Sequence, residues 1–275
     1  MRYGIDIAYD ISEEELLRIE REVLQQNKFQ AIEFFYGKDV VDFDYSDFLD
    51  QIDRLSKEYG LEVIMHLPMY DLAIDSKRIK EAVLKEIKEL CFYAAKLNCT
   101  KVITHGGSMG NVSSNYLTNE EFKAMRYSRQ LLVADMLKGI CDIAEPFGLT
   151  VMLENMFSDF LVNTSSKDLN VIKELTNRDN LKFNYDTGHG NLVKERPGDF
   201  IKSIQRDIGH SHFHDNDGRF DYHHKAGAGC VRFKEILRSL KEIDYNGTII
   251  FETKNRTADG IMDMYELITG IERSV

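Results

Sequence analysis

The chain has 275 residues, 43% of them hydrophobic, with three prolines and a formal net charge of -11. That length admits one large domain or two ordinary ones, and no Pro/Gly/Ser-rich linker, low-complexity segment or charge block divides it. The charge gives no general attraction to nucleic acid or to an anionic membrane, and no apolar run approaches the roughly 18 residues that a membrane helix needs.

In chain order, Met1 to Ile7 reads as a strand, and Ser12-Glu13-Glu14-Glu15 is a capping box opening a helix to about Gln26. Ala31 to Phe35 is a strand with Glu33 inside it, and a helix follows from about Tyr45 to Tyr59. After Gly60, Leu61 to Met65 is a strand delivering His66. The long helix from Ser76 to Leu97 carries Ile79, Val83, Ile87, Leu90 and Ala94 on one stripe. Lys101 to Thr104 is a strand delivering His105. A second capping box, Thr118 to Glu121, opens a helix to about Glu145, and Phe147-Gly148 ends it. Leu149 to Leu153 delivers Glu154, and a helix covers about Ser166 to Leu175. Leu181 to Tyr185 delivers Asp186, then Thr187-Gly188-His189. A short helix from about Pro197 precedes the strand Ile208 to Phe213. A helix marked by Phe233, Ile236, Leu237, Leu240 and Ile243 follows. Gly247 to Phe251 then delivers Glu252, and a last helix runs from about Ala258 to Thr269.

Eight strand-then-helix units with no clear hairpin imply parallel strands joined by right-handed crossovers. Eight units in about 250 residues is the size of a (β/α)8 TIM barrel, here a single domain over residues 1–275. A weak internal repeat agrees: Tyr59-Gly60-Leu61-Glu62-Val63 aligns with Phe147-Gly148-Leu149-Thr150-Val151, each leading to a metal-competent residue. A doubly wound sheet would need a glycine-rich phosphate turn after the first strand, and none is present.

Five of the eight histidines fall within Ile208 to His224, with Asp215, Asp217 and Asp221 among them. Residues two apart on a strand share a face, so His210, His212 and His214 point one way. A barrel carries its active site at the C-terminal ends of its strands. Those positions read His66, His105, Glu154, Asp186, His212 and Glu252, and each can ligate a metal. Singly, Glu154 is an ordinary salt-bridged strand end and His66 an ordinary core histidine. Six together are hard to bury without a cation, because each such group costs several kcal/mol unless paired. His189 overhangs the same mouth, and Asp221 and His223 on the next loop supply a further metal site or orient substrate.

LEN at 153–155, DTGH at 186–189, HFHDNDG at 212–218, DxHH at 221–224, GAG at 227–229 and FETKN at 251–255 resemble the xylose isomerase-like TIM barrels. That superfamily includes sugar isomerases and epimerases and the endonuclease IV type, AP endonuclease family 2. The isomerase and epimerase resemblance implies one divalent ion (manganese, zinc, cobalt or magnesium) held by Glu154, Asp186, His212 and Glu252. In it His189 contacts substrate, and Glu154 and Glu252 move protons. The endonuclease IV resemblance implies up to three zinc ions. Their ligands would be His66, His105 and Glu154; then Glu154, Asp186, His212 and Glu252; then His189, Asp221 and His223. The wording of 156–159 and 188–191 departs from endonuclease IV, and no Arg/Lys-rich loop with aromatics marks a DNA face.

The expected function is therefore a metal-dependent isomerase or epimerase of a small sugar-like hydroxy-carbonyl compound. A zinc-dependent phosphoester hydrolase is the alternative, and a non-catalytic sugar-binding protein a third reading. Lys225, Lys254 and Arg256 are candidates to meet an anionic group of substrate, with Lys254 assigned to substrate binding. Tyr9, Phe34, Tyr36 and Tyr70 are candidate pocket walls. Gly227-Ala228-Gly229 is either an anion cradle or a tight turn. The N-terminus has no basic region followed by an apolar one, and four scattered cysteines without a CxxC pair fit a reduced, cytoplasmic setting. Cys230 reads as a buried thiol. Oligomeric state stays open, a homo-oligomer included.

Overall fold

A computed structural model describes residues 1–36, 45–110, 118–254 and 256–275. The strands are β1 (Arg2–Ile7), β2 (Ala31–Phe35), β3 (Glu62–His66), β4 (Cys99–Thr104), β5 (Thr150–Glu154), β6 (Leu181–Asp186), β7 (Ile208–Phe213) and β8 (Thr248–Phe251). They close in sequence order into one parallel barrel, β8 pairing back onto β1. The described helices are α1 (Glu13–Glu22), α2 (Ser46–Tyr59), α3 (Lys77–Lys96), α4 (Asn119–Ala144), α5 (Ser166–Thr176), α6 (Thr187–Leu192), α7 (Pro197–Ile204), α8 (Phe233–Glu242) and α9 (Ala258–Arg273). None is long and apolar enough to cross a membrane.

Alternation along each strand divides the apolar residues into two bodies. Outward residues such as Ile5, Ile32, Phe34, Val102, Leu153, Phe213 and Phe251 pack beneath the helices in one large core. Inward residues Ala31, Ile64, Ile103, Met152 and Ile250 form a small plug inside the barrel. Above that plug the lumen becomes polar, and His66, Glu154, Asp186 and His212 all stand at the same end.

The helix starts follow their capping residues. Ser12 accepts the Glu15 N–H, and Thr118 with Glu121 forms a full capping box. Ser165 with Asp168 forms another that the sequence reading passed over. The chain departs from expectation in several places, α9 running on to Arg273 where the sequence suggested about Thr269. The first helix stops at Glu22 and gives way to a tight 3-10 turn at Leu24–Gln26, closed by Asn27 at φ 54°. An unexpected helix, α6, follows its N-cap Asp186, whose carboxylate accepts the His189 N–H at 2.7 Å. Its two glycines disguised it, since glycine lowers helix propensity by about 1 kcal/mol each.

Candidate active site

Glu154, Asp186 and His212 close their strands or stand one residue from the end, and Glu252 follows β8 directly. One donor atom from each lies within 4.8 Å of all the others. His212 Nδ1 is 3.0 Å from Glu252 Oε2, 3.4 Å from Glu154 Oε2 and 3.9 Å from Asp186 Oδ2. Asp186 Oδ2, His212 Nδ1 and Glu252 Oε2 are buried without hydrogen-bond partners. Three carboxylates converging on one imidazole, with three such orphaned atoms, form a donor set that fits a divalent cation.

Burial by itself would raise the Glu154 carboxyl, but His212, with His189 and His66, holds it well below the ordinary carboxylate range. Glu252 is held down by His212 and His223 against the same burial. Burial disfavours the His212 imidazolium, yet Glu33, Glu252 and Glu154 raise its pKa well above the ordinary value. Protons and a metal ion thus compete for the same donors, so metal uptake would release protons.

Two further groups flank this centre. His66 Nε2 and His105 Nε2 lie 3.6 and 3.7 Å from Glu154 Oε2. His66 turns its Nδ1 to the Leu67 carbonyl at 2.8 Å, which leaves Nε2 free of a proton in the neutral ring. Burial drives His105 down to about 4. On the other side His189, His214, Asp221 and His223 gather within the same 4.8 Å limit. His189 Nε2 and His223 Nε2 approach Asp221 Oδ2 at 3.2 and 3.0 Å, and the His214 and His223 rings stack with centroids 3.9 Å apart. All nine positions inferred as possible ligands therefore fall into three adjoining groups.

Glu33 was placed in its strand but not in the site, and His210 and His214, placed on one face with His212, were not assigned as ligands. His214 Nε2 lies 2.9 Å from Asp186 Oδ1. Glu33 Oε2 accepts from His210 Nε2 at 2.8 Å, and its Oε1 lies 2.9 Å from His212 Nε2. The signal for Glu33 was available, a lone carboxylate in the apolar run AIEFF. Phe157 was also missed, and its ring lies 4.9 Å from that of His189.

Several peripheral expectations are corrected. Phe34 is not a pocket wall, because its side chain points outward and packs edge-on against Phe48, centroids 5.9 Å apart. The glycine turn does not hold an external anion: Asp215 Oδ2 already accepts the Gly227 and Gly229 N–H groups at 2.9 and 3.0 Å. Arg256 is paired with Asp6 at 2.5 Å and Lys225 with Asp263 at 2.8 Å, so neither is a spare cation. Lys254 is exposed, and its backbone N–H donates to the His223 carbonyl at 2.9 Å. Asn255 of the FETKN motif lies outside the described residues. Cys230 is exposed, because its backbone is pinned to the Asn216 carbonyl while Sγ accepts from Asn191 Nδ2 at the surface. The other three thiols are buried, which pushes each up to about 12.

The model of the family "xylose isomerase-like TIM barrel" matches residues 22–272. An uncharacterised protein of Methanocaldococcus jannaschii is 33% identical over 209 residues, 74% of this chain and 68% of that one. The D-psicose 3-epimerase of Agrobacterium fabrum is 25% identical over 186 residues, 66% of this chain and 61% of the enzyme. The crystal structure of a D-tagatose 3-epimerase-like protein superposes with a TM-score of 0.80 at 25% identity, covering 100% of this chain and 99% of the other.

Proposed function

Because the chain belongs to the xylose isomerase-like TIM-barrel family, we propose that it is a divalent-metal-dependent epimerase or isomerase of a small ketose-like sugar. The observation carrying this reading is the convergence of Glu154, Asp186, His212 and Glu252, with three of their donor atoms buried and outside any hydrogen bond. The epimerase relatives support the substrate class proposed here, a sugar carrying a carbonyl beside a hydroxyl-bearing carbon.

Those four residues would hold manganese, cobalt, magnesium or zinc, and the ion would supply Lewis-acid stabilisation of the negative charge that builds on the substrate oxygens. Glu154 and Glu252 exchange the proton of the carbon beside the carbonyl. One, ionised, removes it to leave an enediolate, and the other, carrying a proton taken from solvent, delivers that proton to the opposite face. The histidines beside them favour the ionised form of each, the form that removes the proton. His189 is anchored by the Asn155 carbonyl at Nδ1, so its Nε2 edge orients a substrate hydroxyl together with Asp221. Phe157 packs against the ring of His189 and walls that side of the mouth. Lys254 meets the polar end of the substrate from the rim.

The test is a panel of ketopentoses and ketohexoses in deuterated water with metal-loaded protein. Turnover should carry solvent deuterium into the epimerised carbon. Glu154→Gln and Glu252→Gln should each lower kcat by about 10²- to 10⁴-fold with an unchanged circular dichroism spectrum. Full activity in both variants would remove them from the chemistry.

A second reading is favoured by one observation, the two flanking donor groups. A zinc-dependent phosphoester hydrolase would use His66 and His105 with Glu154, and His189 and His223 with Asp221, as additional sites. Metal analysis separates the two: about three zinc ions per chain supports hydrolysis, and about one ion supports epimerisation.

A further inference from the structure

We propose that Glu33 is a positioning residue of the metal centre, gripping the Nε2 edge of His212 from within the barrel so that Nδ1 is presented to Glu154 and Glu252. This rests on the metal-centre reading above and adds to it a residue outside the four ligands.

Glu33 sits in the middle of β2 and is 2% exposed. The neighbouring layer of the lumen is filled by Ala31, Ile64, Ile103, Met152 and Ile250, so an apolar side chain would suffice for packing. A carboxylate buried there costs several kcal/mol unless it is paired. Its partners are two imidazoles of β7: His210 Nε2 at 2.8 Å from Oε2, and His212 Nε2 at 2.9 Å from Oε1. Their rings stand nearly perpendicular, at 82°. The contact to His212 is a close approach of carboxylate to ring edge outside hydrogen-bond geometry.

An ionised carboxylate only accepts, and carboxylates face both ring nitrogens of His212, so a bound cation decides between them: it needs a lone pair, which of the two only Nδ1 can offer it. With Nε2 protonated, a neutral His212 has its lone pair on Nδ1, the atom 3.0 Å from Glu252 Oε2 that has no hydrogen-bond partner. With a cation bound among the four ligands, the opposite tautomer would aim an N–H at the cation and a lone pair at the Glu33 carboxylate, a repulsive pairing at both ends. A carboxylate behind a ligating histidine fixes its tautomer and ring orientation, and losing one weakens metal binding by about 10- to 100-fold. Glu33 also holds His210, so it ties the ligand strand β7 to β2 across the barrel.

The experiment strips the purified chain with chelator and titrates it with cobalt(II) by calorimetry, for wild type, Glu33→Gln and Glu33→Asp. In parallel, long-range ¹H–¹⁵N spectra of zinc-loaded wild type report which nitrogen of His212 carries the proton. Expected are a proton on Nε2, cobalt affinity about 10- to 100-fold weaker in Glu33→Gln, and partial recovery in Glu33→Asp. If Glu33→Gln fails to fold, the Nε2 proton in wild type decides the matter alone. Equal cobalt affinity in folded Glu33→Gln, or a proton on Nδ1, overturns the role of Glu33 and leaves the metal centre standing. Absence of cobalt binding by wild type overturns the centre itself, and this role with it.

Discussion

Asp215 Oδ1 accepts the N–H groups of Asn216 and Val231, both at 2.9 Å, and Oδ2 accepts those of Gly227 and Gly229. The side chain is 1% exposed, so this one carboxylate satisfies four backbone donors of the loop that carries Asp221 and His223. Asp215→Ala should cost about 3 kcal/mol or more by urea denaturation, because the four donors lose their acceptor inside the fold, and Asp215→Asn should cost less. Indistinguishable stabilities for wild type and the alanine variant would contradict this account of the loop. Gly188 makes a different demand. A Cβ there would lie 1.9 Å from His214 Cε1, so Gly188→Ala must push that ring away from Asp186. About 1–3 kcal/mol of destabilisation is expected, and an unchanged unfolding midpoint would show that the ring has room to move. The site residues at strand ends could be read directly from the sequence, because a barrel of known strand order places those ends together. Glu33, His210 and His214 could not be read so simply. What Glu33 and His210 do depends on which strands face one another through the lumen, and the place of His214 depends on a glycine two elements earlier in space.

At the level of whole elements, the two ends of the barrel have different tasks. Glu62 opens β3 at the end opposite the candidate site, where it meets Lys101 Nζ of β4 at 2.5 Å, Thr248 Oγ1 of β8 at 2.9 Å and Arg2 of β1 at 3.0 Å. Burial opposes its ionisation, but Lys101 and Arg2 hold Glu62 down to about 2. Lys101 tells the other side: burial outweighs Glu62 and leaves its pKa below the ordinary value. We read the pair as close to neutral in net worth but costly to break, since each partner would strand the other's charge. Glu62→Gln should therefore destabilise by about 3–5 kcal/mol at pH 7. A depressed carboxylate pKa gives stability that is complete above the unfolded value of 4.5 and lost as pH falls toward 2. The gap between wild type and Glu62→Gln should accordingly narrow between pH 5 and about pH 3. A gap of constant size in denaturation curves across that range would rule out the linkage. The elements themselves were legible where caps and periodicity agreed, as in α4 with its Thr118–Glu121 box. They were illegible where glycine hid a helix, as in α6.

Across the whole molecule, the barrel concentrates ionisable groups that its apolar plug would otherwise exclude. Glu154, Asp186 and Glu252 face one imidazole at the centre, with Asp221 beside them, in a chain already carrying a net charge of -11. In the absence of a cation, protonated His189 and His212 offset part of that charge, as the raised pKa of each shows against the opposing effect of burial. A bound divalent ion replaces those protons with two fixed charges, and the unfolded chain has no preassembled site to compete for it. Binding to the folded state alone adds RT ln(1 + [L]/Kd), about 2.7 kcal/mol at a hundredfold excess over Kd. For a barrel of this length the entropy of unfolding converts that into a rise of roughly 5 °C in Tm. Chelator-treated protein titrated with manganese, cobalt, magnesium and zinc should show such a rise for at least one ion. The same rise should be absent in Asp186→Asn, whose ligand oxygen has been exchanged for an amide. A midpoint that ignores all four ions would mean that the gathered carboxylates and imidazoles satisfy one another, and that the chemistry proposed for this mouth has no metal to work with.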